Sequence, residues 1–293
     1  MKKRDRIVLV QLSDLHAGHI LGLCNPETLL QEIKEDGSLE VVNPKLNETQ
    51  KYLWELYTNY CIPEVFNFAD GDPLILFVTG DITQGNKYFT QQMSSDITQQ
   101  IYIAEYNLLP WFAYKNLKVV RFGIGTSSHV FGEGASEKLV ASHLQNKYKH
   151  VDIKTLYHGL ASVGNIDIDY AHHGPYHGLR NWLKGNEARY YLRSIMMDEI
   201  QAGNKPPDLV LRGHYHTFVK EYLSITNGSK EYESWIVIAP SLCLLDDYAQ
   251  QATKSSYRVT NGVVAFEIVN QKLYPPIKFT KTLDIRTKEV LFP

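Results

Sequence analysis

Two short segments place candidate metal donors two residues apart: Asp14-Leu15-His16 and Gly213-His214-Tyr215-His216. At the end of a strand such pairs can turn towards one point and offer a cation a hard carboxylate oxygen and borderline imidazole nitrogens. Gly80-Asp81, Gly125 to His129 and His172-His173 add further donors. A lone Asp-x-His is common by chance and Gly-His-x-His is rarer; the stronger signal is that every cluster follows a short apolar, strand-like run. Asp14, His16, Asp81, His172, His214 and His216 are therefore the candidate metal ligands, with His172 chosen over His173 because it directly follows its strand. Asp14, His16 and His216 suit one ion, and His172 and His214 suit a second. Asp81 suits a bridge, because a carboxylate has lone pairs to share and its charge offsets the repulsion between cations about 3.5–4 Å apart. Between two such ions the pKa of water falls from about 15.7 to about 7, so a hydroxide nucleophile forms at neutral pH.

Donors of this kind need strands that stop abruptly at polar residues. Ile7 to Leu12 runs into Asp14, Leu74 to Thr79 into Asp81, Val119 to Ile124 into Gly125, Ile166 to Ala171 into His172, and Leu209 to Arg212 into Gly213. Their order is one that a single sheet can gather at its C-terminal edge. Helical patterns lie between them: Asn47 to Tyr60, Asp96 to Tyr114 with a kink expected at Pro110, Ser136 to Tyr148 with Ser136 as N-cap, and Asn186 to Gln201 stopped by Gly203. This alternation predicts an α/β layered domain. After Thr217 the strand-like runs Phe218 to Ile225, Tyr232 to Ala239, Val263 to Val269 and Ile277 to Leu283, with a hairpin turn at Asn227-Gly228, predict a second sheet packed on the first. Residues 1–293 are read as one domain with an insertion within 17–73, a segment longer than a strand-helix-strand crossover requires.

Composition narrows the function classes. A hydrophobic content of 44% is that of a globular chain with a real core, and 30 basic against 32 acidic residues leave a net charge of -2. Bulk electrostatics therefore draw it neither to nucleic acid nor to an anionic membrane. No run approaches the roughly 20 apolar residues of a membrane span. The apolar run Ile7 to Val10 is too short for a signal peptide. Cys24, Cys61 and Cys243 are too far apart for a zinc knuckle or redox pair and read as buried thiols in a reducing cytoplasm. His19, His143, His150 and His158 are read as ordinary core or surface residues, and His177 is less settled because it follows the His172-His173 loop. Arg180, Arg189 and Arg212 either clamp phosphate oxygens or sit solvated or ion-paired. Asp246 and Asp247 either orient ligands from behind or cap a turn.

Taken in order, Asp14-Leu15-His16, Gly80-Asp81, Gly125 to His129, His172-His173 and Gly213-His214-Tyr215-His216 resemble the successive motifs of the calcineurin-like metallophosphoesterases, over positions 7 to 216. The run Gly125 to His129 followed by Gly132-Glu133-Gly134, with Leu244-Leu245-Asp246-Asp247-Tyr248, is similar to a phage- and prophage-encoded branch. The resemblance implies a two-sheet β-sandwich flanked by helices in four layers and a centre of two divalent ions, Mn first with Fe, Zn or Ni as alternatives. It implies hydrolysis of phosphomonoesters or phosphodiesters; a phosphodiester or nucleotide is expected before a phosphoprotein, with single-stranded nucleic acid among the expected substrates and the cytoplasm, a host's if phage-encoded, as the expected compartment. It also implies a catalytic His129 near the leaving group. One departure stands out: the third family motif reads Gly-Asn-His, its Asn binding the second metal, whereas no Asn lies between Gly125 and His129. Thr126 or Ser128 then serves, water fills the place, or the second ion is held loosely. The departure also supports a contrasting expectation, a non-catalytic member that keeps one metal to bind a phosphorylated partner; the otherwise complete donor set and His129 favour the enzyme.

Overall fold

The computed structural model describes residues 5–88, 91–129, 135–175, 185–246, 250, 257–287 and 289. The chain opens with β1 (Arg6–Leu12) and a small hairpin of β2 (Leu30–Ile33) and β3 (Leu39–Val42). A helical stretch follows, made of α1 (Glu48–Leu56), a π turn (Tyr57–Cys61) and α2 (Ile62–Ala69). Next come β4 (Leu74–Val78), α3 (Ile97–Phe112), β5 (Leu117–Gly123), α4 (Ala135–Lys147), β6 (Asp152–Leu156), β7 (His158–Val163) and β8 (Ile166–Ala171). The remainder is α5 (Asn186–Gln201), β9 (Leu209–Arg212), β10 (Val219–Asn227), β11 (Lys230–Ile238), β12 (Arg258–Val269), β13 (Lys272–Leu273) and β14 (Ile277–Asp284).

Two sheets pack face to face. The first runs β13-β12-β1-β4-β5-β6, with β14 also paired to β12; the second runs β10-β11-β9-β8-β7. In the first, β1, β4, β5 and β6 are parallel; in the second, β8, β9 and β11 are parallel. Strand periodicity builds the layers. Val8, Val10 and Leu12 of β1 face the helices of the first sheet, while Leu9 joins Phe77, Ile168, Tyr170, Leu211 and Phe266 between the sheets. On the far side Ala188, Leu192 and Met196 of α5 cover Val210, Ile236 and Ile238. The result is a two-sheet β-sandwich flanked by helices, the four-layer α/β architecture expected.

The partition of strands between sheets differs from the sequence reading. β12 and β14 join the first sheet, and β8 and β9 belong to the second, so neither sheet is a contiguous half of the chain. The cause is that β12 is apolar on both faces, with Val263 and Ala265 towards the helices and Val264, Phe266 and Ile268 between the sheets. Such a strand is stable only deep inside a sheet, here beside β1.

Local signals account for most helix ends. Asn47 and Gln50 form a reciprocal capping box at α1, and Asp96 caps α3 by accepting the Thr98 N–H. The first helical stretch continues past the expected stop at Tyr60 by inserting the π turn just before Pro63. Pro110 sits inside α3, and the Tyr106 carbonyl that it deprives of an N–H accepts the Asn25 side-chain amide at 3.0 Å instead. Ser136 is not an N-cap: it is the second residue of α4, buried with Glu137 against the loop after β5. β10 and β11 are joined through Gly228-Ser229, with Asn227 already paired to Lys230. Within 17–73 lie the β2–β3 hairpin and the α1–α2 stretch.

Phe77 is 1% exposed and stacks edge-on to Tyr170 across the sheets at 5.1 Å. Phe77→Ala should cost about 3–5 kcal/mol in urea unfolding. Leu160→Ala, at a position 70% exposed, should stay within about 0.5 kcal/mol.

Candidate metal centre

The donor clusters meet where the C-terminal ends of β1, β4 and β5 in one sheet face those of β8 and β9 in the other. Asp14, His16 and Asp81 come from the first sheet, and His172, His214 and His216 from the second. The expectation of a single sheet edge is therefore corrected: the cluster spans the seam between two sheets. Gln11 ties that seam, its amide donating to the Arg212 carbonyl at 2.9 Å from the far sheet. The Asp14 and His16 amides donate to the Gly80 and Asp81 carbonyls at 3.1 and 3.0 Å, which holds the two turns side by side.

Five of the six candidates have left-handed backbone: Asp14, His16, Asp81, His214 and His216, with φ between 46 and 78°. Each such residue costs on the order of 1–3 kcal/mol unless its surroundings impose it, and concentrations of this kind belong to functional sites. Close packing leaves room only for glycine beside them. A Cβ on Gly125 would overlap the Asp81 carboxylate, and one on Gly80, itself at φ 95°, would lie 2.5 Å from the His172 ring.

Side chains form two adjoining donor groups. In the first, the His16 and His216 Nε2 atoms are 3.1 Å apart, and Asp14 Oδ1 lies 3.4 Å from His216 Nε2 and 3.9 Å from His16 Nε2. The other His16 nitrogen meets Gln84 Oε1 at 3.0 Å; since the amide oxygen can only accept, Nδ1 carries the proton and Nε2 turns a lone pair inward. Asp14 Oδ2 accepts the His214 N–H at 3.1 Å, while Asp14 Oδ1 is buried without any hydrogen-bond partner. In the second group His172 Nδ1 donates to the Thr79 carbonyl at 2.6 Å, and its Nε2 lies 3.0 Å from Asp81 Oδ2 and 3.3 Å from His214 Nδ1. The Thr126 amide donates to Asp81 Oδ1 at 2.6 Å, and the Thr126 hydroxyl lies beside Asp81 Oδ2. An orphaned, buried carboxylate oxygen among imidazole lone pairs fits a cation, and these side chains can hold a metal ion.

Electrostatics point the same way. Burial pushes the Asp81 carboxyl up, but His172, His129 and His16 outweigh it and hold it well below the usual range. Asp14 is likewise lowered against burial, by His216 and His172. Burial, with repulsion from His129 and His216, drives His16 well below an ordinary histidine, and burial beside His172 lowers His214 to about 4. For His172 the two carboxylates overcome burial and raise it to about 9. Behind the Gly125 loop, burial raises Glu137 to about 7.

Of the doublet, His172 is buried and faces Asp81, while His173 is exposed and stacks near His214 at 4.9 Å. His129 stands edge-on to His16 at 4.6 Å, with its Nδ1 proton given to the Gln84 carbonyl at 2.8 Å. His16, Asp81, His214 and His216 open with His129 onto a cavity of about 390 Å³. Sequence reasoning passed over Gln84 and set aside His19, which is buried on the cavity wall with Nε2 3.5 Å from Asp246 Oδ2. The spacing of His19 from His16 was the available signal. Arg212 is no phosphate clamp: it is fully buried and paired with Asp169 at 2.6 Å. Arg189 pairs with Glu221 at 2.8 Å outside the cavity. His143 and His158 pair with Glu105 and Asp169, and His150 packs by Tyr148, all outside the donor groups. His177, Arg180 and Asp247 lie outside the described residues.

No protein-family model matches the chain, and no curated protein matches it. Similar solved structures include an archaeal phosphodiesterase, at 10% identity and TM-score 0.34 over 89% of this chain and 99% of that one. A protein of unknown function from Aquifex aeolicus matches at 15% identity and TM-score 0.31, over 71% of this chain and 78% of that one. A metallophosphoesterase from Sphaerobacter thermophilus matches at 11% identity and TM-score 0.31, over 94% of this chain and 89% of that one. At these TM-scores the likenesses carry no functional weight.

Because His172 holds a proton to about 9 while His16 and His214 are already neutral, a cation entering the cluster must displace one proton. Calorimetric titration of metal-free protein with a divalent ion at about pH 7.5, in buffers of different ionisation enthalpy, should show at least about one proton released. Release of none would mean that the Asp81–His172 contact is absent in solution.

Proposed function

We propose that the chain is a metal-dependent phosphoesterase that hydrolyses a phosphodiester, using two divalent ions. The observation that carries this reading is the pair of adjoining donor groups, Asp14–His16–His216 and Asp14–Asp81–His172 with His214 Nδ1 3.3 Å from His172 Nε2, reaching one cavity through His16, Asp81, His214 and His216 beside His129. Asp81, fully buried between them, takes the shared position. Mixed nitrogen and oxygen donors suit Mn first, with Fe, Zn or Ni as alternatives. Bound ions supply the positive charge that activates a water and neutralises phosphoryl oxygens.

The chain's own residues do the rest. Gln84 fixes the His16 tautomer through Nδ1 and orients His129 through its carbonyl, leaving His129 Nε2 to face the cavity and carry a proton to the departing oxygen. Among the described residues no Lys or Arg lines the cavity, whereas Tyr215, Leu244 and Leu245 form an apolar wall. A monoester dianion would favour an arginine fork; a diester carries one charge and a second organic group that this wall can cover, which fits a nucleotide or single-stranded nucleic acid. Free, buried Cys24, Cys61 and Cys243 suit a reducing cytoplasm. We also read the β2–β3 hairpin as the inserted part of 17–73, since its strands pair only with each other.

Protein freed of metal and reloaded with Mn should hold close to two ions per chain by elemental analysis and turn over an aryl phosphodiester faster than the matching monoester. A single ion with no turnover by any divalent metal would instead support a binding protein for a phosphorylated partner.

His129→Ala should keep its metal content and lose about 10²–10⁴-fold in kcat on diesters with alkyl or nucleoside leaving groups, the scale of general-acid catalysis. Nitrophenyl diesters, whose leaving group needs little protonation, should lose far less. Equal losses on both would mean that His129 stabilises charge without transferring a proton.

A further inference from the structure

We infer that the Thr126 hydroxyl is the fourth protein ligand of the second ion, in the place where the resembled family carries an asparagine; this rests on the two-ion reading above. Thr126 Oγ1 lies 3.1 Å from Asp81 Oδ2, 3.2 Å from His172 Nε2 and 3.2 Å from His214 Nδ1. His172 Nε2 in turn lies 3.0 Å from Asp81 Oδ2 and 3.3 Å from His214 Nδ1. Thr126 Oγ1 and His172 Nε2 thus each lie 3.0–3.3 Å from the other three donor atoms. Neighbouring ligands held at about 2.0–2.1 Å from one ion lie roughly 3 Å apart, which matches these separations.

The loop delivers Thr126 and not Ser128. The Thr126 amide donates to Asp81 Oδ1 at 2.6 Å, and its carbonyl accepts the His129 amide at 2.8 Å, so one residue both clamps the shared carboxylate and shapes the turn that positions His129. Gly125 before it is forced by the Asp81 carboxylate, which leaves no room for a Cβ. A hydroxyl oxygen reaches the ion from a shorter side chain than an asparagine, and the tight Gly125–Thr126 approach supplies the missing length.

Metal-free wild type, Thr126→Val, Thr126→Ser and Thr126→Asn should be titrated with Mn2+ by calorimetry, with retained metal counted after gel filtration. Parallel Co2+ titrations followed by visible absorption report the coordination of each ion. Wild type, the serine and the asparagine variants should bind two equivalents. Thr126→Val should keep the first and weaken the second at least about 10-fold, with the Co2+ absorption of that second ion altered. Two equivalents bound by the valine variant with unchanged Kd and spectrum would overturn the assignment while leaving the two-ion centre standing. Fewer than two equivalents in wild type would overturn the two-ion reading itself. Should valine prevent folding by circular dichroism, Thr126→Ala provides the same comparison.

Discussion

Two carboxylates, Asp14 and Asp81, are buried within one cluster, and the molecule is organised around that fact. Each would cost several kcal/mol to remove from water alone, and together they repel. Four histidines and the amides of His214 and Thr126 face them, and a proton on His172 compensates part of the charge. What is left, an Asp14 oxygen with no partner and imidazole lone pairs turned inward, is the imbalance that a divalent cation corrects.

Holding that imbalance in place requires backbone that few sequences tolerate. The left-handed turns after β1, β4 and β9 aim successive donors at the seam, and they persist because neighbouring elements determine them. The Asp14 turn hydrogen-bonds the Asp81 turn, the Leu242 amide closes on the Asp14 carbonyl, and Gln11 ties β1 to the end of β9. Close-packed layers on both sides, the helices over the first sheet and α5 over the second, keep those ends from relaxing.

The same geometry separates roles among chemically similar residues. His16 and His129 stand edge to face, yet Gln84 takes a proton from each by a different oxygen, its amide from one and its carbonyl from the other. One ring is thereby fixed to face the donor cluster and the other the cavity. His172 and His173 are adjacent in sequence and differ entirely in burial, because strand alternation turns only the first inward.

Much of this was legible in the residues themselves. Abrupt strand ends at Asp14, Asp81, His172 and Gly213, the limits of β8, β9 and α5, and the layered α/β class all follow from local rules of periodicity, glycine punctuation and strand alternation, which act over a few residues. The distribution of strands between sheets did not, because β12 pairs with β1 across more than two hundred positions and only packing on both faces decides that partner. The same holds for Thr126, Gln84 and His19. The spacing of His19 from His16 was only a weak signal, the choice of Thr126 over Ser128 was open and Gln84 carried none; their place at the site is set by which turns come to lie side by side when two sheets close. Local sequence determined which residues could serve as donors; tertiary contact alone decided which atoms face one another, since a distance of about 3 Å between groups far apart in the chain depends on every layer packed between them.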